Sequence, residues 1–203
     1  MSQRQSVDRV RIEQFLKNLG NRFHRAGRIY LVGGTTLVFE GLRQQTLDID
    51  LVIDVSATAH GEIIQIVREL KDSLSLNIEE VSPGDFIPLP SGHENRHIFI
   101  SRFGKLDVLH FDLYSTILSK IERGRVQDFE DALTLLRAGQ IVWDKLVECF
   151  QEILPQMGEH SLKQNPIKFE QNFRTLEGMW RSQSGLPEIK RADGPITDPP
   201  ARS

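Results

Sequence analysis

The amino-acid sequence predicts an α+β fold, a small mixed sheet flanked by helices and followed by a C-terminal helical segment. Three observations carry this. Short β-prone runs alternate with helical patterns only as far as Tyr114. Two of those runs flank Gly104 as a hairpin, which an all-parallel sheet would not contain. Beyond Tyr114 every apolar pattern has the helical period. The chain has 203 residues, enough for one domain, or a domain with a small appendage, that buries roughly 70 % of its unfolded surface.

Taken in order, Val7–His24 reads as a helix with Val10, Phe15, Leu16 and Leu19 at helical spacing. Arg28–Val32 is a strand stopped by Gly33-Gly34, and Thr35–Leu42 a short helix entered through a threonine cap. Leu47–Ile53 alternates as a strand, Ala59–Leu74 presents Ile63, Ile64, Ile66, Val67 and Leu70 as a helix, and Leu76–Val81 is a third strand. The hairpin follows, Ile98–Phe103 with Lys105–Phe111. Ser115–Arg123, Val126–Ala138, Val142–Gln156 and Pro166–Trp180 are helices. Residues 1–114 therefore form the α/β part and 115–180 a helical segment. Residues 181–203 carry four of the nine prolines and almost no large apolar residue, so they are predicted to be a disordered tail.

Composition narrows the class. A single cysteine, Cys149, forms no intramolecular disulfide and no cysteine zinc cage, and mid-helix among Leu146, Phe150 and Ile153 it reads as core. No apolar run approaches the roughly 18 residues that span a bilayer, and the first residues lack the apolar segment of a signal peptide. The expectation is a cytoplasmic globular protein with no membrane partner. The net charge of −3 hides an uneven distribution, because residues 1–28 carry Arg4, Arg9, Arg11, Lys17, Arg22, Arg25 and Arg28 against Asp8 and Glu13. Two readings stand open there, approach to a polyanion such as nucleic acid and a solvated helix face.

The chemistry concentrates in Val32-Gly33-Gly34-Thr35 and Asp48-Ile49-Asp50-Leu51. A strand that ends in two glycines and opens a helix lets the backbone approach a ligand, and the free N–H groups of the first helical turn suit phosphate. Aspartates two apart on a strand share a face, with Cα atoms about 6.6 Å apart, while Ile49 and Leu51 turn to the core. Two such carboxylates repel one another, and a hard divalent cation converts that repulsion into coordination. Each motif alone has a bland reading, a tight turn and a solvent-facing pair.

Together, a hydrophobic residue, Gly33-Gly34, thirteen intervening residues and Asp48-Ile49-Asp50-Leu51 resemble the signature of the polymerase-β-like nucleotidyltransferase superfamily. The stretch Ser119-Lys120-Ile121-Glu122-Arg123-Gly124-Arg125, followed by Asp128-Phe129-Glu130-Asp131, resembles the Lys…Arg…Asp-x-x-Asp region of the AbiE-type abortive-infection toxin nucleotidyltransferases and their bacterial relatives. The resemblance covers roughly residues 28–140 and departs from that family at Gln127, where an arginine is usual. It implies a nucleotidyltransferase-like fold and metal-dependent transfer from a nucleoside triphosphate, ATP among the candidates, to an acceptor such as RNA, transfer RNA or a protein. By the same resemblance Asp48, Asp50 and a third acid on a later strand, placed at Asp107, would be catalytic and hold two Mg²⁺ or Mn²⁺ ions. Asp112 competes for that role but reads as the cap of the helix near Ser115. Gly33, Gly34, Thr35, Arg43, Thr46, Lys120, Asp128 and Asp131 would bind the nucleotide, and an antitoxin protein is the implied partner. The alternative is a catalytically inactive relative that binds nucleotide or a protein.

His93-Glu94-Asn95-Arg96-His97 spells H-E-x-x-H, but Pro88, Pro90 and Gly92 before it and Ile98-Phe99-Ile100 after it deny it the helix that zinc ligation by i and i+4 histidines requires. Trp143 and Trp180 read as core, and no partner is inferred for His24, His60, His110 or His160.

Overall fold

The computed structural model describes residues 6–158 and 164–184. The first helix, α1 (Arg9–Arg22), starts where the Asp8 carboxylate accepts the Arg11 N–H at 2.9 Å. Its buried face is Ile12, Phe15, Leu16 and Leu19, whereas Val10 is exposed. Val10 was expected inward, yet it precedes Phe15 by five residues, about 140° round the helix and off the buried stripe.

Five strands follow the order β3-β2-β1-β5-β4. The central β1 (Gly27–Leu31) pairs antiparallel with β2 (Ile49–Asp54) on one side and parallel with β5 (Leu106–His110) on the other. The outer strands are β3 (Ile78–Glu80), parallel to β2, and β4 (Ile98–Phe103), antiparallel to β5. The sheet is thus mixed, as predicted, and the hairpin about Gly104 is present. Helix α3 (Ala57–Ser73) carries the chain from β2 back to β3. Packed with α1 against one sheet face, it closes a core of Ile12, Phe15, Ile29, Leu31, Ile49, Leu51 and Ile63. The opposite face is smaller: Tyr30, Val32 and Phe111 meet the segment 82–97.

Helices α4 (Leu113–Arg123), α5 (Val126–Arg137), α6 (Trp143–Ile153) and α7 (Pro166–Ser184) build a second core around Ile117, Ile121, Leu133, Leu146 and Phe169. Cys149 lies in it, as expected, and Trp143 stacks on Phe173 and Trp180. The short helix α2 (Gly33–Phe39) joins the two cores, because Val38 and Phe39 enter the first and Leu37 the second. This bridging holds the Gly-Gly turn between the sheet and the helical segment.

Helix α2 begins at Gly33 with no side-chain cap, so Thr35 is not its cap. Asp112 does cap α4, accepting the Tyr114 and Ser115 N–H groups, and the Arg96 guanidinium grips both its oxygens at 2.9 Å. The H-E-x-x-H residues form a single 3₁₀ turn, His93–Arg96, in which His93 Nδ1 faces the Pro90 carbonyl and His97 Nδ1 accepts the Asp112 N–H. The described part of the basic N-terminal stretch is largely neutralised: Arg9 and Lys17 pair with Glu13, Arg22 with Glu69, Arg25 with Glu62 and Arg28 with Asp54. Helix α7 runs through 181–184, the start of the predicted tail; residues 185–203 lie outside the described residues. No described helix is long and apolar enough to cross a membrane.

Candidate active site

The site is built where β1 ends. The Val32 N–H donates to the Asp50 carbonyl at 3.2 Å, and the Thr35 hydroxyl accepts the Asp50 N–H at 2.8 Å, so one backbone and one side-chain hydrogen bond lock the Gly-Gly turn to the Asp50 strand. This is what Thr35 does in place of capping. Gly33 has φ +60°, and a Cβ there would lie 2.6 Å from Asp50 Oδ2. Any side chain would therefore clash with the carboxylate while straining the backbone. A Cβ on Gly34 would lie 2.7 Å from Thr46 Oγ1 and 3.3 Å from an Arg43 nitrogen, which places both of those predicted residues around the turn.

Ile49 and Leu51 are fully buried, so β2 is anchored by its apolar side while Asp50 stays partly accessible on the other; Asp48, predicted on the same strand, is partly accessible in the bend just before β2 begins at Ile49. Burial raises the Asp50 carboxyl from 3.8 to about 6, with the charges of Asp48 and Glu79 pushing the same way and Lys120 and Arg123 opposing them. Asp48 itself accepts from Asn77 Nδ2 at 2.5 Å. Glu79 stands opposite Asp50 in the parallel β2–β3 register.

From the helical side, Lys120 reaches the same place from a buried position. Its Nζ lies 2.7 Å from Asp131 Oδ2 and 3.7 Å from Asp128 Oδ1. Asp131 also receives Gln127 Nε2 at 3.0 Å and Arg43 at 3.5 Å. Asp128 is gripped by both arms of Arg123 and accepts the Arg125 N–H. Burial alone would raise its pKa, but the Arg123 hydrogen bonds and the Lys120 charge outweigh that, so Asp128 sits below the ordinary carboxylate range. Asp128 and Asp131, predicted nucleotide-binding residues, are buried and hold Lys120, Arg43 and Arg123 in position through ion pairs.

A cavity of about 240 Å³ separates the two sides, lined by Gly33, Asp50, Glu79, Lys120, Glu122, Arg123, Ser119, Ser82 and Phe86 among others. Asp107 is not there. It stands level with Arg28 on β1, whereas Asp50 is bonded at Val32. Four residues of strand, about 13 Å, separate the two levels. Asp107 lines a different depression at the other end of the sheet and forms a fork with Arg102, at 2.5 and 3.0 Å. The physical reason is register together with strand order: β1 lies between β5 and β2, and Asp107 pairs at the start of β1 while Asp50 lies at its end.

Two residues that sequence reasoning passed over belong to the site. Glu79 was recoverable, because a strand–helix–strand crossover over 47–81 makes the two strands parallel neighbours and sets Glu79 beside Asp50. Arg123 follows Lys120 by three residues on one helix face, a spacing visible in the sequence.

Among the described residues no group of three or more histidine, cysteine, aspartate or glutamate side chains is placed to hold a metal ion by itself. The donor chemistry nonetheless suits a hard divalent cation. Asp50 and Asp48 offer carboxylate oxygens, the like charges around Asp50 leave negative charge uncompensated, and Gly33 keeps space clear at Asp50 Oδ2. Magnesium commonly takes one or two protein carboxylates and completes its shell with phosphate oxygens and water.

A family model described as nucleotidyltransferase of unknown function (DUF6036) matches residues 10–177. Searches of curated proteins and of solved structures return no match.

Proposed function

This chain belongs to that nucleotidyltransferase family, and we propose that it transfers a nucleotidyl group from a nucleoside triphosphate to an acceptor hydroxyl in a reaction that depends on Mg²⁺ or Mn²⁺. The acceptor oxygen would bond to the α-phosphorus as the bond from that phosphorus to its bridging oxygen breaks, releasing pyrophosphate. The observation that carries the reading is one cavity with Gly33 against Asp50 on its sheet side and Lys120 with Arg123 on its helical side.

Asp48 and Asp50, with Glu79 alongside, are the residues to hold the divalent cations, two by the resemblance, which when bound neutralise phosphate charge and lower the pKa of the attacking hydroxyl. Gly33 and Gly34 leave the backbone open for the triphosphate. Lys120 and Arg123 face its negative charge, and their ion pairs with Asp131 and Asp128 fix them before substrate arrives, so little reorganisation is needed. Cation pairs of this kind favour phosphate oxygens strongly in a partly desolvated cleft.

The test is transfer of label from each α-labelled nucleoside triphosphate to candidate RNA and protein acceptors. Label transfer that persists in Asp50→Asn would overturn the mechanism. The toxin reading of the same activity predicts that expression arrests growth and that Asp50→Asn relieves the arrest; equal toxicity of both forms sinks it. An antitoxin protein is the partner this reading expects.

A second reading is a nucleotide-binding relative without turnover. Gln127 favours it, since a neutral amide donates to Asp131 at the position where the resembling family places an arginine. Calorimetry separates the two: metal-dependent binding followed by pyrophosphate release supports transfer, and metal-independent binding without release supports the second.

A further inference from the structure

Most polar side chains around the cavity are already spent on neighbours. Lys120 is held by Asp131, Arg123 by Asp128, Glu79 by Asn77, Ser82 by the Gly84 N–H, and Ser119 donates to the Thr116 carbonyl. Among the described residues the carboxylates of Asp50 and Glu122 make no hydrogen bond or ion pair. Asp50 belongs to the transfer chemistry, which leaves Glu122 without a role. It is half-buried on α4, and the Lys168 and Arg123 charges only partly offset the desolvation that raises its pKa. Phe86, in the segment after the Pro83–Asp85 turn, lines the same cavity with 42 % of its surface exposed, so its ring is open to a ligand there. Its backbone is held in place, because Gln164 Nε2 donates to the Phe86 carbonyl at 2.9 Å. Pro83, against the same cavity, is buried.

We infer that Phe86 and Glu122 form a nucleobase subsite in this cavity, with the ring as a stacking surface and the free carboxylate reading the base edge in favour of guanine. This deepens the transferase reading and rests on it. An aromatic ring accepts any base by stacking, so selectivity must come from the carboxylate. An ionised carboxylate is acceptor-only, with two oxygens to fill. Guanine offers two adjacent N–H donors on one edge, N1–H and the 2-amino group. Adenine and cytosine offer one amino group beside a ring acceptor, and uracil offers a single N–H between two carbonyls that repel the carboxylate. A site with an unpaired, half-buried acceptor discriminates against ligands that cannot fill it.

The test is calorimetric titration of the full chain with GTP, ITP, UTP and inorganic tripolyphosphate in magnesium buffer. GTP is expected to bind at least about tenfold tighter than UTP, with ITP, which lacks the 2-amino group, between them. Phe86→Ala should weaken every nucleotide about tenfold, the loss of one stack, and Phe86→Trp should restore it. Glu122→Gln should remove the preference for GTP over UTP. Tripolyphosphate affinity should be the same in all variants, and unchanged unfolding temperatures would show that they fold. Equal binding of GTP and UTP by the wild-type chain, or nucleotide affinities indifferent to both substitutions, would overturn the subsite while leaving transfer standing. Failure of the wild-type chain to bind either tripolyphosphate or any nucleotide would overturn the transferase reading beneath it.

Discussion

Asp50 and Asp107 lie on strands that border the same central strand, and their surroundings have opposite signs. Asp107, near the start of β1, has a guanidinium partner in Arg102, whose hydrogen bonds hold its carboxyl below the ordinary range. Asp50, beside the end of β1, has no such partner; burial and the like charges of Asp48 and Glu79 push it up to about 6. At one end of the sheet the carboxylate is paired directly with a guanidinium, and at the other it faces like charges that Lys120 and Arg123 only partly offset. Identity and strand context made these aspartates look equivalent. What separates them is whether the fold supplies the counter-charge itself.

The widest gap between the two should appear on substitution of Asp50. Asp50→Asn is expected to lower transfer by about a thousandfold or more, the loss of roughly 4 kcal/mol of transition-state stabilisation, measured as label incorporation. The same substitution should stabilise the metal-free chain at neutral pH by up to about 3 kcal/mol, read from denaturant unfolding. The sign follows from a folded pKa above the unfolded one: the folded carboxyl binds the extra proton, so ionisation costs stability as pH rises from 3.8 through about 6. The stabilisation should shrink as the pH falls toward about 4.

Next in size is Lys120→Met. It strips the buried Asp131 and Asp128 of a cation and should cost about 3–5 kcal/mol of stability as well as activity. Adding Asp131→Asn should recover part of the stability and none of the activity, which would separate holding the fold from meeting the phosphate. Glu79→Gln should raise the magnesium concentration needed for half-maximal rate by about tenfold, because one negative charge leaves the Asp50 environment. An unchanged magnesium requirement would remove Glu79 from the site.

The smallest effect belongs to Asp107→Asn. Transfer should stay within about twofold of wild type, and stability should fall by less than about 1 kcal/mol, as for a largely exposed ion pair. Because this folded pKa is depressed, its contribution is present above the unfolded value of 3.8 and lost as pH falls through the lower folded one, the reverse of Asp50. A collapse of activity in Asp107→Asn with Glu79→Gln silent would reverse the comparison between the two ends.

Local patterns were legible wherever one residue's surroundings lie close in sequence. The alternation around Ile49 and Leu51, the Asp112 cap, the hairpin about Gly104 and the helical spacing after Tyr114 all emerged as expected. Val10 failed through a five-residue step that no helix places on one face. Thr35 failed because its hydroxyl found a better partner, the Asp50 N–H, fifteen residues away.

The sequence alone therefore determined the class of fold, the Gly33-Gly34 turn and the strand that carries Asp50, since periodicity and glycine's freedom act within a few residues. Only the tertiary structure decided that Glu79 rather than Asp107 neighbours Asp50, that Asp128 and Asp131 are buried in ion pairs with Lys120, Arg43 and Arg123, and that Phe86 and Glu122 share a cavity. Those outcomes depend on strand order and on which charges meet after burial, and both are properties of contacts between segments far apart in the chain.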